Sequence, residues 1–172
     1  MRGLAPLAGL SLALIAAACA PVRPLEPAPA EQSAPRVDLL RARKAARTLE
    51  VWSAGRLVRT IRGIQLGWQP IGPKRFEGDG KTPEGRYVVD WRNPRSAYHL
   101  SLHISYPDSR DVAFARARGS SPGGMIMIHG QPNGVSGRVP GDWTDGCIAL
   151  SDAEIELLWD IVPDGTAIEV TP

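Results

Sequence analysis

The chain has 172 residues, a length that holds one ordinary domain once a leader is set aside. Its 20 Lys and Arg nearly balance 18 Asp and Glu, which excludes the one-signed basic footprint of a nucleic-acid binder. With 43% hydrophobic residues, 18 Gly and 16 Pro, the composition describes a turn-rich, well-cored domain of many short strands and excludes a disordered chain.

Met1 to Ala18 carries a single cation, Arg2, ahead of an apolar run from Leu4 broken only by Pro6 and Ser11. The run is short and Ala-rich for a membrane span and closes on small residues, the pattern of an export signal. Ala16-Ala17-Ala18-Cys19 resembles the lipobox of bacterial lipoproteins, whose Cys is lipidated and becomes the mature N-terminus, although that motif usually has Leu where Ala16 stands. Ala18-Cys19-Ala20 also satisfies an ordinary A-x-A cleavage site, which would leave no lipid. A lipoprotein-type signal over residues 1–19 is the preferred reading. It places the domain in the periplasm, touching a membrane only through a lipid on Cys19. Residues 20–36 follow with Pro21, Pro24, Pro27, Pro29 and Pro35 among Ala and Glu, an extended tether that cannot pack a core.

From Val37 to Pro172 the pattern is that of one domain. Alternation over Val37–Arg41, Arg47–Trp52 and Arg56–Ile61, with a Ser53-Ala54-Gly55 turn, predicts a strand meander. A helix over Asp38–Ala46 competes, because Leu, Arg, Ala and Lys are good helix formers, but strands are preferred. Further strands are predicted over Gly63–Gly67, Arg86–Trp91, Tyr98–Tyr106, Met125–His129, Cys147–Leu150 and Thr166–Val170, each bounded by turn residues. One short helix is predicted over Ser109–Ala117. Another starts at Ser151, where Ser151-Asp152-Ala153-Glu154 has capping-box spacing and Ile155, Leu158 and Trp159 form an apolar stripe.

Outside the leader the chain has one cysteine, Cys147, in a compartment that oxidises thiols. Such a cysteine is either a small buried hydrophobe or a reactive group. Its surroundings favour the second reading. His129 ends an apolar strand, Ile126-Met127-Ile128-His129, and Cys147 opens another eighteen positions later, after a Gly-rich loop. A histidine within reach of a thiol converts it to the nucleophilic thiolate, the requirement of Cys/His acyl transfer. Gly146, just before the cysteine, lets the backbone turn so that nearby amides face a developing oxyanion.

His129-Gly130 followed by Thr144-Asp145-Gly146-Cys147 resembles the signature of the L,D-transpeptidase (YkuD-type) catalytic domain. Lys74 to Tyr87, with its Thr82-Pro83-Glu84-Gly85 turn, is similar to a stretch of that family that leads into a core strand. Ser101 to Asp108 and Pro122-Gly123-Gly124 resemble its murein endopeptidase and transpeptidase branch from Gram-negative bacteria. The resemblance covers about Val37 to Pro172 and implies a mainly β fold: a mixed-strand sandwich or barrel-like core with two short helices. It implies Cys147 as acylated nucleophile, His129 as general base and the Gly130 carbonyl in place of a triad acid. The amides of Thr144, Asp145, Gly146 and Cys147 would line the oxyanion site. The implied substrate is a peptidoglycan tetrapeptide stem, acylated at its third residue with loss of D-Ala. Acceptors are a neighbouring stem amine, a Lys of a wall-anchored lipoprotein, or water, which would make the enzyme an endopeptidase or carboxypeptidase. A wall-binding module without catalysis would lack the Cys or the His, and both are present. No cofactor is implied.

Two positions depart from the family pattern. Asp145 stands where many members have His, and a carboxylate turned inward there would oppose a thiolate; it is expected to point away. Ile148-Ala149-Leu150 is apolar where many members carry Arg or Asn two positions after the nucleophile. Three weaker features complete the reading. Arg138, in the loop beside the site, is a candidate to hold a stem-peptide carboxylate, against a solvated loop charge. Trp143 is read as an aromatic that closes the loop, against a substrate stack. His99 and His103 lie four apart on a predicted strand, but no cysteine or carboxylate stands at ligand spacing, so no metal site is assigned.

Overall fold

The computed structural model describes residues 36–172. The leader with Cys19 and all of the tether except Arg36 lie outside the described residues. Eight strands and two helices follow in order: β1 (Leu39–Arg43), β2 (Thr48–Ser53), β3 (Arg56–Arg62), β4 (Gly85–Ser96), β5 (His99–Ile104), α1 (Ser109–Arg116), β6 (Met127–His129), β7 (Ile148–Ala149), α2 (Asp152–Ile161) and β8 (Ala167–Thr171). The strands form one mixed sheet in the order β3-β2-β1-β8-β4-β5-β6-β7. The mainly β architecture with two short helices is therefore as the sequence pattern predicts.

Two-residue periodicity explains which side chains enter the core. Leu40 and Ala42 of β1 pair in parallel register with Ile168 and Val170 of β8, and all four are buried. Leu49 and Val51 of β2 join them across an antiparallel ladder. The long strand β4 connects the two halves of the sheet: Gly85–Val88 pair with β8, and from Val89 onward the strand pairs with β5. Beyond β5 come the short strands β6 and β7, the latter parallel to β6. The helical alternative for Asp38–Ala46 loses because its alternating Leu40 and Ala42 are claimed by the ladders on both sides.

Helix α2 packs beside β5 and β6 and buries Ile155 and Leu158. Its capping box forms as its spacing predicts: Glu154 Oε2 accepts the Ser151 N–H at 2.8 Å and its hydroxyl at 2.7 Å. At the other end Arg92 donates to the carbonyls of Trp159 and Val162 and stacks over the Trp159 ring, placing a cation at the negative end of the helix dipole.

The predicted strand over Gly63–Gly67 is not a strand. It runs as a brace held by two isolated bridges, Gln65 to Ala149 and Gly67 to Thr144. Gly63 turns at φ +70°, and a Cβ on Gly67 would stand 2.2 Å from the Gly80 carbonyl oxygen. This backbone is shaped by close approach to the active loop, not by a ladder partner. A second tie is Lys44, whose buried ammonium donates to the Gly72 and Thr82 carbonyls at 2.6 and 3.1 Å and to Glu84 at 2.8 Å. It locks the β1–β2 turn to the Thr82-Pro83-Glu84-Gly85 turn beneath the site.

Candidate active site

Strand β6 ends on His129, and Cys147 immediately precedes β7. The parallel register sets His129 opposite Ala149, so Cys147 lies two residues back along the neighbouring strand. With a period of two, His129 and Cys147 share one face of the sheet. Leu150 closes this junction by donating its N–H to the His129 carbonyl at 2.8 Å. Both side chains line a cleft of about 310 Å³ together with Tyr98, Met125, Trp143 and Asp145.

The imidazole is fixed on three sides. Nδ1 lies 2.7 Å from the carbonyl oxygen of Gly130, and because a carbonyl only accepts, Nδ1 carries the proton. Nε2 is thus the lone-pair nitrogen, the one a general base uses. The Tyr98 ring lies tilted against the imidazole with centroids 4.6 Å apart, and Trp143 meets it edge-on at 5.6 Å. Burial among these aromatics pushes the His129 pKa down, opposed by its bond to Gly130. The ring is therefore neutral and basic at physiological pH.

The thiol rests in its protonated form. Its sulfur accepts the Met127 N–H at 3.3 Å and lies 3.6 Å from the Met125 carbonyl, which takes the S–H. Burial pushes its pKa up to about 11, Asp145 adds to the rise, and the Met127 N–H and Lys74 oppose it. Lys74 itself is spoken for, donating to Asp79 and the Phe76 carbonyl.

The loop between the two strands is tied down along its length. Arg47 grips Asp142 with both ends of its guanidinium, at 2.9 and 2.6 Å, and Asp142 also accepts the Leu66 N–H. Gln65 donates to the carbonyls of Val139 and Gly141 and accepts from Gln131, which in turn bonds Leu150. Thr144 exchanges backbone bonds with Leu66 and Trp68, while its hydroxyl donates to the Cys147 carbonyl at 2.8 Å and accepts the Gly146 N–H at 3.2 Å. Gly146 sits at φ +130°, and a Cβ there would be 2.5 Å from the Lys81 carbonyl oxygen. Among the described residues the N–H groups of Asp145 and Cys147 bond no protein acceptor.

Of the residues singled out by sequence, Cys147, His129, Gly130, Thr144, Asp145 and Gly146 therefore come together. Asp145 is exposed, but against the expectation that it points away it lines the cleft and helps to raise the Cys147 pKa. Arg138 does not join them: its guanidinium is held by the Gly63 carbonyl and by Glu154, the same carboxylate that caps α2. Trp143 closes over His129, in keeping with its reading as a loop-closing aromatic. His99 and His103 are divided between separate partners, Glu156 at 2.7 Å and Asp90 at 2.6 Å, and His99 stands at φ +62° at the mouth of the hairpin. Sequence reading missed Tyr98, Met125 and the Arg47–Asp142 clamp. None belongs to a local motif, and only Asp142, a carboxylate inside the loop, offered any signal.

Comparison with known proteins places this geometry. Residues 38–170 match the YkuD family profile, described as an L,D-transpeptidase catalytic domain. The YafK protein of Escherichia coli (strain K12) is 34% identical over 95 residues, which cover 54% of this chain and 32% of YafK. Among solved structures, the helical cell shape determining protein Pgp2 from Campylobacter jejuni superimposes with a TM-score of 0.62 at 27% identity, covering 78% of this chain and 47% of Pgp2. Bd1075 of Bdellovibrio bacteriovorus shares the fold with a TM-score of 0.57 at 23% identity, covering 79% of this chain and 48% of its own. The chain thus spans about a third of YafK and under half of Pgp2.

Proposed function

Because the chain belongs to the YkuD L,D-transpeptidase catalytic-domain family, whose members act on peptidoglycan stem peptides, we propose that it forms a Cys147 thioester on a tetrapeptide stem and passes the acyl group to an amine. The observation that carries this reading is the fixed tautomer of His129, which leaves Nε2 unprotonated in the cleft that also holds the Cys147 thiol. As sulfur attacks the carbonyl at the L-centre of the third residue, Nε2 takes the thiol proton. The unbonded N–H groups of Asp145 and Cys147 receive the oxyanion. Collapse expels D-Ala, whose nitrogen takes the proton back from His129. An amine on a neighbouring stem or on a wall-anchored lipoprotein then attacks the thioester and restores the thiol. The domain works in the periplasm, held to a membrane by a lipid on Cys19 and spaced from it by the Pro-rich tether.

Purified tetrapeptide muropeptide incubated with the wild-type chain and with Cys147→Ala, and analysed by mass spectrometry, tests the reaction. Cross-linked dimers appearing with loss of D-Ala only when Cys147 is present establish transpeptidation. Tripeptide without dimers assigns the same site to hydrolysis, and no Cys147-dependent product refutes the proposal. Lipidation is read separately: acyl chains on an N-terminal Cys19 support it, and a mature peptide beginning at Pro21 refutes it.

A further inference from the structure

Asp145 is the one formal charge that lines the cleft among the described residues. It is exposed, sits two positions before the nucleophile, and makes no hydrogen bond or ion pair with any described residue. A carboxylate in that place works against the chemistry, because it disfavours the thiolate the reaction needs. Lys74, the cation that opposes Asp145 at the Cys147 thiol, is buried and committed to Asp79, and among the described residues no cation forms an ion pair with Asp145. The charge is left for what enters the cleft.

Resting on the thioester reading above, we infer that Asp145 selects the amine that takes the acyl group, favouring amines that carry a second positive charge and disfavouring those that carry a carboxylate beside the attacking nitrogen. The group transfer itself is unchanged. The neutral nitrogen's lone pair attacks the thioester carbon, the C–S bond breaks, and the proton lost by nitrogen returns to sulfur through His129. Asp145 acts on the approach of the amine, attracting an ammonium and repelling a carboxylate at the rim of the cleft. Apolar Ile148 and Ala149, both buried, supply no cation that would cancel this bias.

Three small amines of similar size isolate the effect: ethylenediamine, glycinamide and glycine, which place an ammonium, a neutral amide and a carboxylate next to the nucleophilic nitrogen. The full-length chain and Asp145→Asn are each given tetrapeptide muropeptide with the three amines in competition, and the adducts are counted by mass spectrometry. All three partition a common thioester, so any change in acylation rate caused by a lower thiol pKa cancels from the ratios. In Asp145→Asn the ethylenediamine-to-glycine ratio should fall by roughly five-fold, the scale of a solvent-exposed charge pair acting with both signs, and 0.5 M salt should compress the wild-type ratio in the same way. An unchanged ratio overturns the inference and leaves Asp145 a solvated loop charge. Hydrolysis with every amine ignored also overturns it and moves the enzyme to the hydrolytic reading. Absence of any Cys147-dependent loss of D-Ala refutes the catalytic proposal itself, a result distinct from the other two.

Discussion

The resting state of Cys147 makes a prediction that separates two kinds of cysteine enzyme. A thiol pushed up to about 11 from an ordinary 9.0 is about a hundred-fold poorer in thiolate at neutral pH, equivalent to about 2.7 kcal/mol. At pH 7.5 roughly 0.03% of the protein would hold thiolate, against about 3% for an unperturbed cysteine. Its S–H points at the Met125 carbonyl, and the imidazole beside it is neutral because burial lowers its pKa. Both shifts disfavour a preformed thiolate–imidazolium pair, so the proton should move to His129 only as the sulfur attacks. Alkylation by iodoacetamide, which reports thiolate directly, should therefore be slow at pH 7 and rise about ten-fold per pH unit toward pH 10. A rate already level between pH 6 and 8, with an inflection near pH 5, would reveal a standing ion pair and refute this account of the site.

Three substitutions test the supports. Gly146→Ala forces a side chain into φ +130° and against the Lys81 carbonyl, and the two penalties together should cost about 2–6 kcal/mol in urea unfolding; a loss under 1 kcal/mol would show that the loop can shift freely. Asp142→Ala removes both the Arg47 clamp and the acceptor of the Leu66 N–H, and should lower stability by about 1–3 kcal/mol while reducing kcat/KM through a looser loop. His129→Gln should lower kcat by about 10²–10⁴-fold while the chain still melts cooperatively, and a fall of less than ten-fold would mean that another group takes the thiol proton.

The features legible in the sequence are those with short-range causes. Alternating Leu40 and Ala42 announce β1, and the four-residue spacing from Ser151 to Glu154 announces the start of α2, because ladders and caps are satisfied by near neighbours. Cys147, His129 and Gly146 were legible because a base, a glycine turn and a thiol at this spacing make up the local signature of the family the chain resembles. What escaped depends on contacts far apart in the chain. Tyr98 reaches His129 from a hairpin thirty-one positions away, and the 63–67 brace is shaped by Gly80 and Gly146. Arg138 carried the right chemistry to bind a carboxylate, but the carboxylate it found was Glu154, within the protein.

The central claim is that Cys147 is acylated with His129 as its base. Intact-protein mass spectrometry after rapid acid quench, on chain mixed with disaccharide-tetrapeptide, tests it most directly. The account predicts an adduct of disaccharide-tripeptide mass on Cys147, absent from Cys147→Ala and slowed in His129→Gln. Release of D-Ala by the Cys147→Ala chain, or an adduct mapped to any other residue, would contradict it.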